Sequence, residues 1–182
     1  MIVVIGALSA ARHGESYSVD GYAAAVALAL AAAGEHVELI AKIGVDDAGE
    51  SAIHQLDRGG VGHVALLREV SLATPSRPTE ALPLDAADLQ LALRYLTSFE
   101  AALLVDPREP SLLEAALDAC DYAGARLVVT RTEGSEPLAA LLPGRNAGPP
   151  PLEVERPDAD PFTVTSLLIA LLRPDREPPA AN

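Results

Sequence analysis

Short apolar runs and helical patterns alternate along most of the chain. Residues 2–5, Ile-Val-Val-Ile, form a β-branched run that ends at Gly6, which is typical of a strand buried on both faces of a parallel sheet. Helix formers dominate residues 22–33, Gly34 follows as a C-cap, and residues 36–43 have the pattern of a second buried strand. This order predicts a parallel βαβ unit.

The same alternation continues to residue 172. Residues 48–58 carry a helical stripe of apolar positions. Asp46 and Asp47 before it are interpreted as a loop pair that caps the helix, with a metal role as the alternative. The later predicted elements are strands over 63–67, 101–105, 127–130 and 152–155, and helices from Asp85 to about 97, over 110–123 before Gly124, and over 161–172. Strands and helices at this spacing predict an α/β three-layer sandwich with a mostly parallel sheet and right-handed crossovers.

The segments between these elements lack a sustained period. Residues 7–21 are predicted to be a loop, and residues 68–84, with three prolines, a loop or short antiparallel excursions outside the main sheet. Residues 143–151 are rich in Pro and Gly and have the composition of a surface loop. We expect a single domain over residues 1–173 and a disordered tail over residues 174–182.

Composition and charge exclude several classes of function. The chain has 182 residues and a formal net charge of −13, so nucleic acid and anionic membranes would repel it. The one cysteine, Cys120, cannot form an intramolecular disulfide, and no Cys/His cluster has metal-ligand spacing. The start lacks the positive n-region of a signal peptide, and residues 22–33 are too short to span a bilayer. We therefore expect a cytoplasmic protein with no metal of its own and no membrane or nucleic-acid partner.

Three short motifs, Asp-Gly-Tyr-Ala-Ala-Ala at residues 20–25, Ile-Gly-Val-Asp-Asp-Ala-Gly at 43–49 and Pro-Asp-Ala-Asp-Pro-Phe at 157–162, resemble motifs of the ribokinase-like (PfkB) carbohydrate kinase family. Residues 20–25, Asp-Gly-Tyr-Ala-Ala-Ala, resemble the family's Gly-Gly-x-Gly-x-Asn sugar-binding turn. Residues 43–49, Ile-Gly-Val-Asp-Asp-Ala-Gly, match the family's pattern closely and are the most specific signal. Residues 157–162 fall where the family has Gly-Ala-Gly-Asp-Ala-Phe at the start of a helix, and here only Asp160 and Phe162 match.

The resemblance covers residues 1 to about 67 and, more weakly, residues 127–172. Family members are considerably longer. By comparison this chain lacks most of the β-strand lid, the central elements that lead to the nucleotide site, and a counterpart of the Asn-x-x-Glu metal and phosphate motif. The resemblance therefore implies a shortened ribokinase-like, Rossmann-type fold with the lid largely missing.

The resemblance also implies candidate site residues. Asp160 would be the catalytic base that takes the proton from the sugar hydroxyl, and Asp20 and Gly21 would bind the substrate. Ala25 stands where the family has the asparagine that would hydrogen-bond a hydroxyl. An alternative interpretation of Asp160 and Pro161 is an ordinary N-cap followed by proline at the first helical position, which requires no catalysis.

The position of the family's anion site is altered in this sequence. In the family, glycines let backbone amides approach the transferring phosphate. Here Pro157 has no N–H group, Asp158 adds a negative charge and Ala159 adds a Cβ atom. All three changes oppose phosphate binding.

These observations leave three hypotheses about function. The first is a shortened ribokinase-like protein without kinase activity, a pseudokinase that serves as a small-ligand-binding or oligomeric module. The second is an active sugar or nucleoside kinase that uses ATP and Mg with Asp160 as base. The third is a purely structural or interaction protein. Because the missing elements should leave an apolar face or a sheet edge uncovered, we also expect a homodimer.

Overall fold

Strands and helices alternate in the computed structural model, which describes residues 1–70, 83–96, 98–132, 138, 150–156 and 160–175. The strands are β1 (Ile2–Ile5), β2 (Ser9–His13), β3 (Ser16–Asp20), β4 (Val37–Gly44), β5 (Val61–Gly62), β6 (Leu66–Glu69), β7 (Ala101–Val105), β8 (Arg126–Thr132) and β9 (Leu152–Arg156). The helices are α1 (Tyr22–Ala32), α2 (Asp47–Arg58), α3 (Ala86–Leu93), α4 (Pro110–Ala123) and α5 (Pro161–Leu172).

Seven strands form one sheet in the order β5-β4-β1-β7-β8-β9, with β6 also paired to β4. Every pairing in this sheet is parallel. The first strand lies in the middle, since Ile2 pairs with Val37 of β4 on one side and with Ala101 of β7 on the other. The chain therefore builds outward from β1 in one direction and then returns to build outward in the opposite direction from β7.

Both faces of the sheet are covered by helices. One apolar layer joins alternate strand residues such as Val4 and Leu103 to residues of α1, α2 and α5. The other joins Val3 and Leu104 to residues of α3 and α4. Burial on both faces explains why β1 is apolar throughout rather than alternating. The predicted α/β three-layer sandwich is confirmed.

Most predicted elements occur where the pattern placed them. Helix α4 has the predicted bounds and ends at Gly124, which adopts a left-handed φ of 65°. The strand predicted over residues 63–67 is instead two short strands, β5 and β6, separated by a turn at residues 63–65. Helix α3 ends at Leu93 rather than near residue 97.

The largest difference is a hairpin before α1. Residues 7–21 were predicted to be a loop, whereas β2 and β3 pair antiparallel in a separate two-stranded sheet. Residues 16–20, Ser-Tyr-Ser-Val-Asp, alternate polar and apolar positions as a half-buried strand does, a signal that the loop prediction overlooked, and Gly14 provides the turn with a φ of 63°. Most of the predicted loops at 68–84 and 143–151, and most of the tail over 174–182, lie outside the described residues.

The motif over residues 43–49 has a packing explanation. The Asp46 side chain accepts a hydrogen bond of 2.8 Å from the Gly49 backbone amide and caps α2. A Cβ atom on Gly49 would overlap the Gly44 carbonyl oxygen, and one on Gly44 would lie 3.1 Å from the Asp46 carboxylate. The two glycines and the cap therefore form one close-packed strand-to-helix turn.

Candidate functional site

A crevice opens where β1 and β7 end side by side at the carboxyl edge of the sheet. The connection after β1 leads to α1 on one face, and that after β7 leads to α4 on the other face. In open α/β sheets, ligands bind where neighbouring connections diverge in this way. The cavity measures about 420 Å³, within the range of small-molecule sites. Residues from both sides line it, among them Gly6, Ser9, Gly21, Tyr22, Asp106, Arg108 and Glu109.

Two glycines shape the wall of the crevice on the α1 side. A Cβ atom on Gly6 would lie 2.7 Å from Ala23 Cβ and 2.9 Å from Val105 Cβ, so only glycine lets α1 approach the strand ends this closely. Gly21 has a φ of 109° and is the N-cap of α1. Because this N-cap residue is a glycine, it has no side chain with which to cap α1.

Charged side chains line the other wall. Asp106 follows β7 with a φ of 45°, a conformation in which non-glycine residues are uncommon, and its amide donates a 2.9 Å hydrogen bond to the Thr130 carbonyl. Arg108 and Glu109 follow and are exposed. Glu109 is the N-cap residue of α4 but makes no side-chain cap. The crevice thus presents two acidic groups and one guanidinium.

The sequence analysis did not single out Gly6, Asp106, Arg108 or Glu109. Gly6 was noted only as the end of β1. A usable signal did exist, because Asp106 directly follows the buried run of β7 and Glu109 directly precedes α4. Residues at the carboxyl ends of parallel strands are where an α/β fold places its binding groups.

The structure places the two predicted substrate-binding residues differently. Gly21 lines the crevice. Asp20 is exposed, is not among the lining residues, and its carboxylate accepts a 2.8 Å hydrogen bond from the Gly21 amide. Asp20 therefore hydrogen-bonds the turn that leads into α1.

Asp160, the predicted base, is the N-cap of α5. Its carboxylate accepts hydrogen bonds from the Thr163 amide at 2.8 Å and from the Thr163 hydroxyl at 3.1 Å. The bond from the Thr163 amide, the largest cause, and the bond from its hydroxyl hold the pKa of Asp160 below its usual value. Asp160 is exposed and does not line the crevice. Pro157, Asp158 and Ala159, the predicted anion-site position, lie outside the described residues.

Across the described ranges, three or more His, Cys, Asp or Glu side chains nowhere come together as they would around a metal ion. Likewise, none of the helices in the part of the chain that the structure describes is long and apolar enough to cross a bilayer.

Known structures share this fold. The chain superposes on a protein named Sa239 with a TM-score of 0.59 at 13% identity, covering 78% of this chain and 58% of that one. An uncharacterised sugar kinase from Pyrococcus horikoshii superposes with a TM-score of 0.52 at 16% identity, covering 80% of this chain and 58% of that one. Aminoimidazole riboside kinase from Salmonella enterica superposes with a TM-score of 0.51 at 19% identity, covering 77% of this chain and 51% of that one.

These likenesses establish a ribokinase-like fold, as the sequence motifs indicated. The chain spans little more than half the length of each of these proteins. No protein-family model matches the sequence, and no curated protein does.

Proposed function

We propose that this chain binds a small polar ligand in the crevice between β1 and β7 and has no kinase activity of its own. The observation that carries the proposal is the crevice itself, which lies at the point where the connections diverge and is lined by Asp106, Arg108 and Glu109. A concave site of this size with a few convergent polar groups is the usual form of a small-molecule site.

The lining favours a ligand with several hydroxyl or amino groups. Asp106 and Glu109 accept hydrogen bonds from such groups, and Arg108 donates to oxygens. A small polyhydroxylated molecule can use acceptors and donors together, whereas an apolar ligand would leave these groups without partners.

Two features support the absence of kinase activity. The Asp160 carboxylate is committed to Thr163, and a carboxylate with a lowered pKa is a weaker general base. In the sequence, Pro157 and Asp158 replace residues that would donate to or tolerate a phosphate.

The first experiment is a thermal-shift titration of the wild type with D-ribose, adenosine, ATP and ADP, the nucleotides with and without magnesium. A saturable rise in Tm with D-ribose or adenosine supports the proposal. The rise should shrink in Asp106→Asn, which removes the charge but tolerates the same backbone conformation. Asp57→Asn, on the exposed surface of α2, is the matched control and should behave as the wild type. A shift unchanged by Asp106→Asn would place the ligand elsewhere, and no shift with any compound would count against the proposal.

The second candidate is an active sugar or nucleoside kinase with Asp160 as base and ATP and Mg as cofactors. It is favoured by the names of the similar structures, which include a sugar kinase and a riboside kinase. Asp160→Asn separates the two roles, because asparagine caps a helix as well as aspartate but cannot accept the proton. ATP-dependent phosphorylation that is lost in Asp160→Asn while the Tm is kept would establish the kinase and remove our first proposal.

We further propose that the protein is a cytoplasmic homodimer. The support is β9, which pairs with β8 on one edge only among the described residues, so its other edge is open to a partner. A purely structural role as an interaction protein would rest on the same edge. Light scattering at micromolar concentration tests the dimer, and a monodisperse monomer would overturn it.

A further inference from the structure

The outer edge of β3 is closed by a side chain instead of a strand. On its inner edge β3 pairs with β2. On its outer edge, the Val19 amide donates a 3.0 Å hydrogen bond to Gln55 Oε1, and Gln55 Nε2 donates a 2.8 Å bond to the Tyr17 carbonyl. Residues two apart in a strand present their polar groups to the same edge. The Gln55 amide therefore bonds β3 as an adjoining strand would.

A second residue of α2 supports this contact. Ser51 lies one helical turn before Gln55, and its hydroxyl donates a 3.1 Å hydrogen bond to the same Tyr17 carbonyl. Gln55 Nε2 lies 3.0 Å from Ser51 Oγ, so the two side chains also hold each other. We call Gln55 and Ser51, bonded to Tyr17 and Val19, the Gln55 latch.

The base of the same hairpin, at the end opposite the Gly14 turn, forms part of the crevice. Ser9 pairs with Asp20 at the base of the hairpin, and Gly21 leads directly into α1. Ser9 and Gly21 both line the cavity. A hairpin that shifts along α2 must therefore move two residues of the crevice wall, because only one residue separates Val19 from Gly21.

We infer that Gln55 is a positioning residue for the crevice: through Tyr17 and Val19 it holds the hairpin in the place where Ser9 and Gly21 complete the wall. That this wall serves a ligand rests on the proposed function. That Gln55 holds the hairpin in place does not depend on any ligand, and the experiment measures the position of the hairpin separately from ligand binding.

The position of the hairpin is measured at two residues, Val19 and residue 9. Hydrogen exchange at the Val19 amide reports the latch itself. The substitution Ser9→Cys places a thiol at the base of the hairpin, and the rate at which this thiol reacts with a thiol reagent reports access to the wall. The chain has one native cysteine, Cys120. It does not interfere, because it is only 2% exposed.

The test variant is Gln55→Glu, which keeps the size of the side chain but turns a carboxylate oxygen towards the Tyr17 carbonyl in place of the donor. Measured in the Ser9→Cys background, Val19 exchange and labelling of the introduced thiol should both accelerate about tenfold, the factor set by the loss of one to two hydrogen bonds. Gln90→Glu on α3, at an exposed glutamine, is the matched control and should change neither rate. Should Gln55→Glu fail to fold, Ser51→Ala gives a milder loosening of the same latch.

The outcomes separate the two claims. Faster exchange at Val19 with unchanged labelling of the introduced thiol would overturn the inference, since the latch would then not reach the wall. Unchanged exchange would overturn it as well. If both rates rise, the inference holds, and D-ribose and adenosine titrations on Gln55→Glu should show at least severalfold weaker binding than on the wild type. If neither compound stabilises the wild type, the proposed ligand site fails while the two rates still decide the latch.

Discussion

Arg173 and Glu100 form a two-pronged ion pair. Arg173 Nη1 donates to Glu100 Oε2 and Nη2 to Oε1, both at 2.9 Å. The first residue after α5 is thereby joined to the residue before β7, 73 positions earlier in the chain. The N-terminal ammonium group adds a third bond of 2.9 Å to Glu100 Oε1. Two parallel bonds to one carboxylate fix geometry as well as charge.

This pair predicts a stability loss in acid. The hydrogen bonds from Arg173 and then from the terminal ammonium lower the pKa of Glu100 from 4.5 to about 2. A lowered carboxyl pKa means that the stabilisation is present above the ordinary value and is lost as the pH falls towards about 2. We expect Glu100→Gln to reduce the Tm by roughly 2–4 °C at pH 7 and to flatten the change in Tm between about pH 5 and pH 2, as measured by thermal unfolding.

The control for this prediction is Glu114→Gln, at an exposed glutamate on α4. It should leave both the Tm at neutral pH and the acid dependence close to those of the wild type. An acid profile of Glu100→Gln that follows the wild type would mean that the ion pair does not contribute in solution.

Gly49→Ala should destabilise the protein although alanine favours helices. A Cβ atom at Gly49, inside α2, would overlap the Gly44 carbonyl oxygen, which is backbone and cannot turn aside. We expect the free energy of unfolding to fall by about 1–3 kcal/mol in denaturant titrations. His54→Ala on the same helix is exposed and gains helix propensity without a clash, so it should be neutral or slightly stabilising. A stabilised Gly49→Ala would contradict the close-packed turn.

Asp160→Ala should lower the Tm by a few degrees because α5 loses its cap from Asp160 to the Thr163 amide. Asp160→Asn should retain the wild-type Tm near neutral pH, since an amide oxygen caps equally well. The low pKa of Asp160 further predicts that the cap of the wild type weakens as the pH falls below the ordinary aspartate range. Equal melting of Asp160→Ala and the wild type would show that the cap adds nothing.

Cys120 should be inert until the protein unfolds. Burial, with a smaller effect from Asp121, raises the pKa of the Cys120 thiol to about 12, and the residue is 2% exposed. The thiolate is the reactive form, so labelling with a thiol reagent at about pH 8 should be negligible in the native state and rapid in denaturant. Fast labelling of the native protein would mean that the layer around α4 opens readily.

Local chemistry in the sequence was sufficient to predict α2, α4 and α5. Asp46, Gly124 and Pro161 mark helix ends through contacts within a few residues, and the structure has them at those ends. The buried strands were equally legible, because strands covered on both faces are apolar without interruption. The family motif at residues 43–49 was also legible in the sequence, because its glycines are required by close packing between residues that are near each other in the chain.

Contacts between distant parts of the chain were decided only by the tertiary structure. The hairpin of β2 and β3 is held by Gln55, 36 residues away from Val19. The crevice exists because β7 pairs with β1, which brings Asp106 beside Gly6, and neither residue type predicts that neighbour. The bond between Glu100 and Arg173 is of the same kind. A pattern along the chain encodes burial and local caps, whereas strand order is set by which pairing buries the most apolar surface over the whole fold.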